Sequence, residues 1–368
     1  MEFEIFVVDN NSTDNSPQYL KDAFPKPEHP NIHFICNRDN VGFGHANNQA
    51  LRQAKGEYVL FLNPDTILTE DTLTDYIRFY REHPDAGAVG VKMLRPNGKF
   101  ARESRRGLPT PFTSLCKMLG LGRLFPKSRL FGKYYMQYLD KEESNPIQVV
   151  SGACMMVPRA ILQKTGGFDE QFFMYGEDID LSYRILADGN QNHYIPTPIL
   201  HYKGESTEKS SFRYVHVFYG AMLIYFNKHY KKSYFLLAIP IKVAVYVIAF
   251  CTLIIHAFDE WKHWLRPAQK KQQSYLFIGS KEHFEEVAQL ADQWGLNIDF
   301  KEGNQQDCPD GHAAGSCDTG KYRFIVYDTS VYTMKQILAN FQKTRKPLIG
   351  TYNAEKKILI TNEKTYTV

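Results

Sequence analysis

Tyr58-Val59-Leu60-Phe61-Leu62-Asn63-Pro64-Asp65-Thr66 is an unbroken apolar run that ends abruptly in polar turn residues. The first five residues read as a buried strand, and the last four as the loop beyond its carboxyl end. The same pattern occurs earlier: Ile5–Asp9 is apolar and runs into Asp9-Asn10-Asn11-Ser12-Thr13-Asp14. Around these two landmarks helix-like and strand-like stretches alternate. Ser16–Ala23 reads as helix, Ile32–Cys36 as strand, residues 47–54 and 71–83 as helices, and 87–93 as another strand. Such alternation implies an α/β sheet with helices on its faces. In these sheets ligands sit beyond the carboxyl ends of the strands, where both polar clusters fall.

The composition is that of a folded protein. The 368 residues leave room for more than one domain, and 43% hydrophobic with 23% charged residues exclude disorder over most of the length. A net charge of +4, with basic residues spread along the chain, gives no nucleic-acid footprint. The 23 Tyr and 25 Phe suit sugar platforms, a membrane interface or a core. Most of the six cysteines lie in apolar surroundings, the pattern of reduced thiols rather than a secreted disulfide framework. No signal peptide is expected ahead of the first strand, and no internal repeat is visible.

Four units are expected: 1–230, a hydrophobic segment at 231–260, a basic linker at 261–273, and a small α/β domain at 274–368. Residues 100–147 carry Arg102, Arg105 and Arg106 among aromatic, Pro and Gly residues. They read as an insertion near the site, or alternatively as a solvated variable surface. Residues 234–258 are almost continuously apolar, interrupted by Pro240 and Lys242. As one helix they would extend roughly 36 Å against a bilayer core of about 30 Å, so a membrane segment is expected, a buried core helix being the alternative. Both flanks are basic, so charge does not choose an orientation. An arrangement with both ends of this segment cytosolic is preferred. Beyond the linker, strands near 275–278, 298–301, 323–327, 348–352 and 358–361 alternate with helices over 282–294 and 333–343. This is a Rossmann-like pattern without the glycine fingerprint, and it favours a structural or docking role. Cys308, His312 and Cys317 are too few for a structural zinc site.

Three later stretches carry acids and glycines: Val150-Ser151-Gly152-Ala153-Cys154, Gly166-Gly167-Phe168-Asp169-Glu170, and Gly176-Glu177-Asp178-Ile179-Asp180. Taken in order with Asp9–Asp14, the Asn37-x-x-Asn40-x-Gly42-Phe43-Gly44 loop and Asn63-Pro64-Asp65-Thr66, they resemble family-2 glycosyltransferases of the rhamnosyltransferase-like branch, over most of residues 1 to about 225. The resemblance implies a GT-A-like fold, a nucleotide-diphosphate sugar donor, a glycan or lipid-linked acceptor, an inverting reaction and a divalent cation, Mg²⁺ or Mn²⁺. Such a reaction must stabilise a departing diphosphate and take a proton from an acceptor hydroxyl. By the same resemblance Asp178 is the general base, its basicity tuned by crowded carboxylates and partial burial. Asp65 matches the second aspartate of the Asp-x-Asp metal motif, with Asn63 at the first position. His201 completes the metal or diphosphate site. Asp9 faces the nucleotide base, Asn40, Gly42 and Phe43 border the nucleotide, and Gly152 and Glu177 flank the sugar. Lys203 and Ser206 are weaker phosphate contacts, while Asn47 and Asn48 support the neighbouring helix.

Alternatives stay open for each. Asp65 fits a turn or helix cap, the acids at 177–180 fit N-terminal helix caps, and His201 fits a structural histidine. The family's first strand has no counterpart ahead of Ile5, so an N-terminally incomplete donor half is expected. Two rival functions follow: a catalytically degenerate membrane-associated scaffold, and a nucleotidyltransferase, the latter without a Gly-rich triphosphate loop to support it.

Overall fold

A computed structural model of the protein describes residues 2–202, 212–231, 274–304, 308–314, 318–344 and 347–367. The expected membrane segment at 234–258, the basic linker, Lys203 and Ser206 lie outside these. Among the described residues no helix is long and apolar enough to cross a membrane.

The first part of the chain runs β1 (Ile5–Asp9), α1 (Ser16–Ala23), β2 (Ile32–Cys36), α2 (Phe43–Leu51), β3 (Tyr58–Leu62), β4 (Thr66–Ile67), α3 (Thr72–Glu82) and β5 (Ala86–Leu94). It continues through α4 (Pro111–Met118), α5 (Leu121–Leu124), β6 (Asn145–Pro146), β7 (Cys154–Pro158), α6 (Arg159–Thr165), α7 (Glu177–Ala187), β8 (Gln191–His201) and α8 (Phe212–His229). The main sheet has the order β3-β7-β5-β8-β4, with β6 on β8. β5 lies parallel to β8, while β7 runs antiparallel to both β3 and β5. β1 and β2 form a separate parallel pair.

All nine residues of β5 are buried, because both faces of this strand are covered. Val89, Val91 and Met93 pack with Tyr76, Phe79 and Tyr80 of α3 on one side. Ala88 packs with Leu181 and Ile185 of α7 on the other. α7 is therefore fixed to the sheet by its apolar stripe, and its first turn is held over the strand ends.

The second α/β pattern is a six-stranded sheet, β10-β9-β11-β12-β13-β14. Its members are β9 (Ser274–Gly279), β10 (Asn297–Glu302), β11 (Phe324–Asp328), β12 (Leu348–Asn353), β13 (Ile358–Thr361) and β14 (Thr365–Thr367), with α9 (Phe284–Trp294) and α10 (Met334–Lys343). The first four strands in that order pair in parallel, and β13 and β14 are antiparallel additions. This sheet shares a core with the first part: Leu94, Leu200 and Tyr202 pack with Ile325, Tyr327 and Ile349. Backbone bonds reinforce the seam, Ile349 N–H donating to the Pro96 carbonyl at 2.7 Å. The Glu70 carboxylate accepts from the Met334 N–H at 2.6 Å, at the start of α10.

Candidate active site

Asp178 occupies the first turn of α7, just after Gly176. Its Oδ2 accepts the Gly152 N–H at 3.1 Å and pairs with Arg106. Both side chains of that pair are 13% exposed, so the carboxylate lies at the edge of the protein rather than in its core. Arg106 also donates to the Val150 carbonyl at 3.3 Å. Burial works against the guanidinium charge, but the Asp178 carboxylate outweighs it and the Arg106 pKa moves upward.

The other two acids of the turn have different surroundings. Glu177 is 7% exposed, and its Oε2 is buried with no hydrogen-bond partner. Burial first, and the neighbouring Asp178 charge second, push its pKa up to about 8. Glu177 therefore holds its proton at neutral pH, a carboxylic acid beside a carboxylate. Asp180 is fully buried and pairs with Arg184 Nε at 2.7 Å, Lys228 Nζ at 2.8 Å and His229 Nε2 at 2.7 Å. Burial opposes its charge, but the His229 hydrogen bond and the cations prevail, and its pKa drops to about 2. Asp180 ties α7 to α8 and is structural.

A second carboxylate lies past the end of β3. Asp65 Oδ1 is 3.2 Å from His201 Nε2. The antiparallel pairing of Thr66 with His201 brings them together, and the Tyr202 N–H donates to the Asp65 carbonyl at 2.9 Å. Asn63 Oδ1 and His201 Nδ1 are buried without hydrogen-bond partners. A carboxylate, an imidazole and two unsatisfied polar atoms at one strand end fit a divalent cation or the diphosphate it would accompany. Among the described residues no group of three or more His, Cys, Asp or Glu side chains converges on one point, so Asp65 and His201 alone do not make a closed protein cage. The two carboxylate centres are linked through the backbone: Asn63 N–H donates to the Ala153 carbonyl at 2.9 Å, and the preceding Gly152 holds Asp178.

The loop residues form a third layer. Asp9 Oδ2 accepts the Ser12 N–H at 3.2 Å, closing the turn after β1. Asn40 Oδ1 accepts from Asn10 Nδ2 at 2.8 Å and from the Gly42 N–H at 3.1 Å. α2 begins at Phe43, four residues earlier than the sequence pattern suggests, because Gly42 provides a left-handed entry (φ 88°). A side chain at Gly42 would put a Cβ 2.6 Å from the Phe173 carbonyl oxygen, which itself accepts the Phe43 N–H at 2.8 Å. The loop is thereby docked onto the segment that leads to Asp178. The Phe43 ring packs edge-on against Phe168, in the core.

Asn48 lies within α2 and clamps the glycine turn at 166–168. It accepts from the Phe168 N–H at 3.0 Å and donates to the Phe168 carbonyl at 2.8 Å. Glu170 accepts from the same Asn48 at 2.9 Å and contacts His45 at 2.7 Å. Lys228 reaches Asp169 at 2.5 Å. The Gly-Gly-Phe-Asp-Glu stretch thus joins α2 and α8 to α7, and its acids serve assembly.

Arg106 was visible in the sequence only as part of a basic run. Nothing there ties it to an aspartate 72 positions away, and its partner emerges only when the insertion folds back so that Arg106 forms an antiparallel bridge with Val149. Beside Asp178 that insertion also walls a cavity of about 270 Å³ with α8, lined by Ser114, Tyr134, Ile179, Phe218 and Tyr225 among others. Ser114 Oγ and Tyr225 Oη are buried there with no hydrogen-bond partner. His312, by contrast, is structural. Its ring nitrogens meet Tyr327 Oη at 2.8 Å and Thr344 Oγ1 at 2.5 Å, and burial pushes its pKa down to about 4.

The fold and site define an α/β protein with two carboxylate centres past adjoining strand ends, one paired with a guanidinium and one with an imidazole. The family model described as glycosyl transferase family 2 matches residues 1–166. The rhamnosyltransferase WbbL of Escherichia coli is 30% identical over 196 residues, 47% of this chain and 70% of that protein. An N-acetylglucosaminyl-diphospho-decaprenol L-rhamnosyltransferase of Mycobacterium tuberculosis is 29% identical over 215 residues, 55% of this chain and 67% of that protein. A mannosyltransferase from Pyrobaculum calidifontis, solved with GDP-Man and Mn²⁺, is 18% identical with a TM-score of 0.41, covering 72% of each chain. The chain belongs to glycosyltransferase family 2, with a GT-A-like α/β fold.

Proposed function

We propose that the protein transfers a sugar, with inversion, from a nucleotide-diphosphate donor to a hydroxyl of a glycan or lipid-linked acceptor in cell-surface polysaccharide synthesis. The observation that carries this reading is Asp178, oriented by the Gly152 N–H and connected through Ala153 and Asn63 to the Asp65–His201 pair. Both described contacts to Asp178 fall on Oδ2, so Oδ1 would take the acceptor proton. The acceptor oxygen then bonds to the anomeric carbon as the bond from that carbon to the diphosphate breaks. Arg106 would pair with Asp178 until the acceptor arrives. Glu177, protonated at neutral pH, would donate a hydrogen bond rather than add a second charge. Asp65 and His201 would hold Mg²⁺ or Mn²⁺ together with the donor, and the cation would supply charge neutralisation for the departing diphosphate. Asp9, Asn40 and the Gly42 backbone would border the nucleotide. A cytoplasmic, membrane-associated catalytic domain and a docking role for 274–368 belong to the same reading.

The experiment is transfer and nucleoside diphosphate release with a panel of nucleotide sugars and Mg²⁺ or Mn²⁺. An L-rhamnose donor comes first because two relatives carry that sugar in their names. Transfer by the wild-type protein that survives Asp178→Asn removes Asp178 as base. Absence of both turnover and nucleotide binding supports a scaffold instead.

A further inference from the structure

Residues 104–139 contain no Asp or Glu, but seven Lys or Arg: Arg105, Arg106, Lys117, Arg123, Lys127, Arg129 and Lys133. Within this acid-free stretch six large apolar side chains are exposed: Phe112, Leu115, Leu119, Leu124, Phe125 and Leu130, by 48–70%. Their arrangement follows helix geometry. Phe112, Leu115 and the C-terminal cap Leu119 are spaced i, i+3 and i+7, which places them on one outward stripe of α4. Thr113, Ser114 and Cys116 of the same helix are buried, and Ser114 and Lys117 line the cavity beside Asp178. α4 is therefore apolar outward and polar inward at the site. A soluble surface does not gain from that distribution, because apolar stripes of this kind are left exposed at a cost in solubility unless something covers them. Arg123, Lys127 and Arg129, all exposed, sit among the apolar residues.

We propose that the 109–133 segment seats the protein on an anionic bilayer surface, with the apolar stripe in the acyl–headgroup boundary and Arg123, Lys127 and Arg129 on the lipid phosphates. Interfacial helices combine these two features, a buried apolar face and basic residues at the headgroup level. Charge complementarity selects the occupant: a basic, acid-free apolar face fits an anionic lipid surface, whereas a second copy of the same face would bring like charges together. Seated this way, the inner face of α4 holds the cavity beside Asp178 close to the membrane plane. The surface is distinct from residues 234–258 and does not depend on Asp178 acting as the base.

A local probe separates this face from the rest of the chain. An environment-sensitive fluorophore is placed on the full chain at Leu119→Cys, with Cys36, Cys251, Cys308 and Cys317 changed to Ser, and a control fluorophore at Lys356→Cys in the same background. With vesicles containing phosphatidylglycerol, the probe at 119 shifts to the blue and is quenched by nitroxide lipids, while the probe at 356 does not respond. The half-response falls at about a hundredfold lower lipid than for neutral phosphatidylcholine, about fivefold for each of the three exposed cations. Combined Arg123→Gln, Lys127→Gln and Arg129→Gln removes that preference. A probe at 119 that keeps its aqueous spectrum on vesicle-bound protein overturns the proposal, as does an equal response to neutral and anionic vesicles.

Discussion

Asp178 and Asp180 stand two residues apart on one helical turn and face different tasks. The Asp178 side chain is 13% exposed and has one cation, Arg106, and one backbone donor. Asp180 points into the seam between α7 and α8 and is surrounded by Arg184, Lys228 and His229. Under the proposed function, one acidic turn would serve both a site and a joint. A carboxylate that must exchange partners during a reaction is kept at an accessible edge, and one that must never exchange is buried among several cations. Glu177, just ahead of Asp178 in sequence, has a buried Oε2 without a hydrogen-bond partner, and it keeps its proton instead.

The largest test of this contrast is Asp178→Asn. Loss of a general base is expected to slow transfer by about 10²–10⁴-fold, read as nucleoside diphosphate release. The substitution also leaves Arg106 without its carboxylate, so some loss of thermal stability should accompany it. Adding Arg106→Gln should recover that stability and leave transfer as slow as before. If the second change restores transfer, Asp178 acts only through the pair. Asp180→Asn should give the opposite profile. Removing one partner from a buried charge cluster costs about 3–5 kcal/mol, measurable by urea unfolding, while transfer by the folded fraction stays near wild type.

Acid provides a smaller version of the same test. Asp180 has its folded pKa depressed from 3.8 to about 2, so its contribution is present above pH 3.8 and is lost as the pH falls through about 2. At about 1.4 kcal/mol per pH unit the depression is worth about 2.5 kcal/mol. The wild-type protein should lose that much more than Asp180→Asn across this window, as followed by denaturant titrations at fixed pH.

Much of this arrangement is legible in the sequence, and the unreadable part has a common cause. Strands such as Ile5–Asp9 and Tyr58–Leu62 announce themselves because apolar runs ending in Asn and Asp are local patterns. The polar clusters past their ends are legible for the same reason, and so are the acids at 177–180. Asp65 next to His201 depends on an antiparallel pairing 135 residues apart, which motif order implies but periodicity does not. Arg106 on Asp178 and Lys228 on Asp180 are long-range ion pairs, formed by which helix packs where, and no local pattern encodes them. The start of α2 at Phe43 is set by the positive-φ backbone of Gly42, whose N–H Asn40 accepts, while Asn47 and Asn48 lie inside the helix.

Glu177→Gln is the subtlest test, because it alters a group that is uncharged at neutral pH. Its folded pKa of about 8 lies above the model-peptide value of 4.5. The stabilisation it provides is therefore complete below pH 4.5, where both states are protonated, and is lost progressively as the pH rises through 8. Over that interval the unfolded chain releases a proton that the folded protein retains, so stability falls with rising pH. Gln keeps the shape and cannot ionise. The variant should show a shallower fall between pH 4.5 and 8 than the wild type, by urea unfolding at each pH, with the difference closing as the pH drops. An unchanged slope would mean that Glu177 ionises freely in the folded protein. It would then stand as a second charge beside Asp178, and the turn's division into one partly buried carboxylate, one retained proton and one buried joint would not hold.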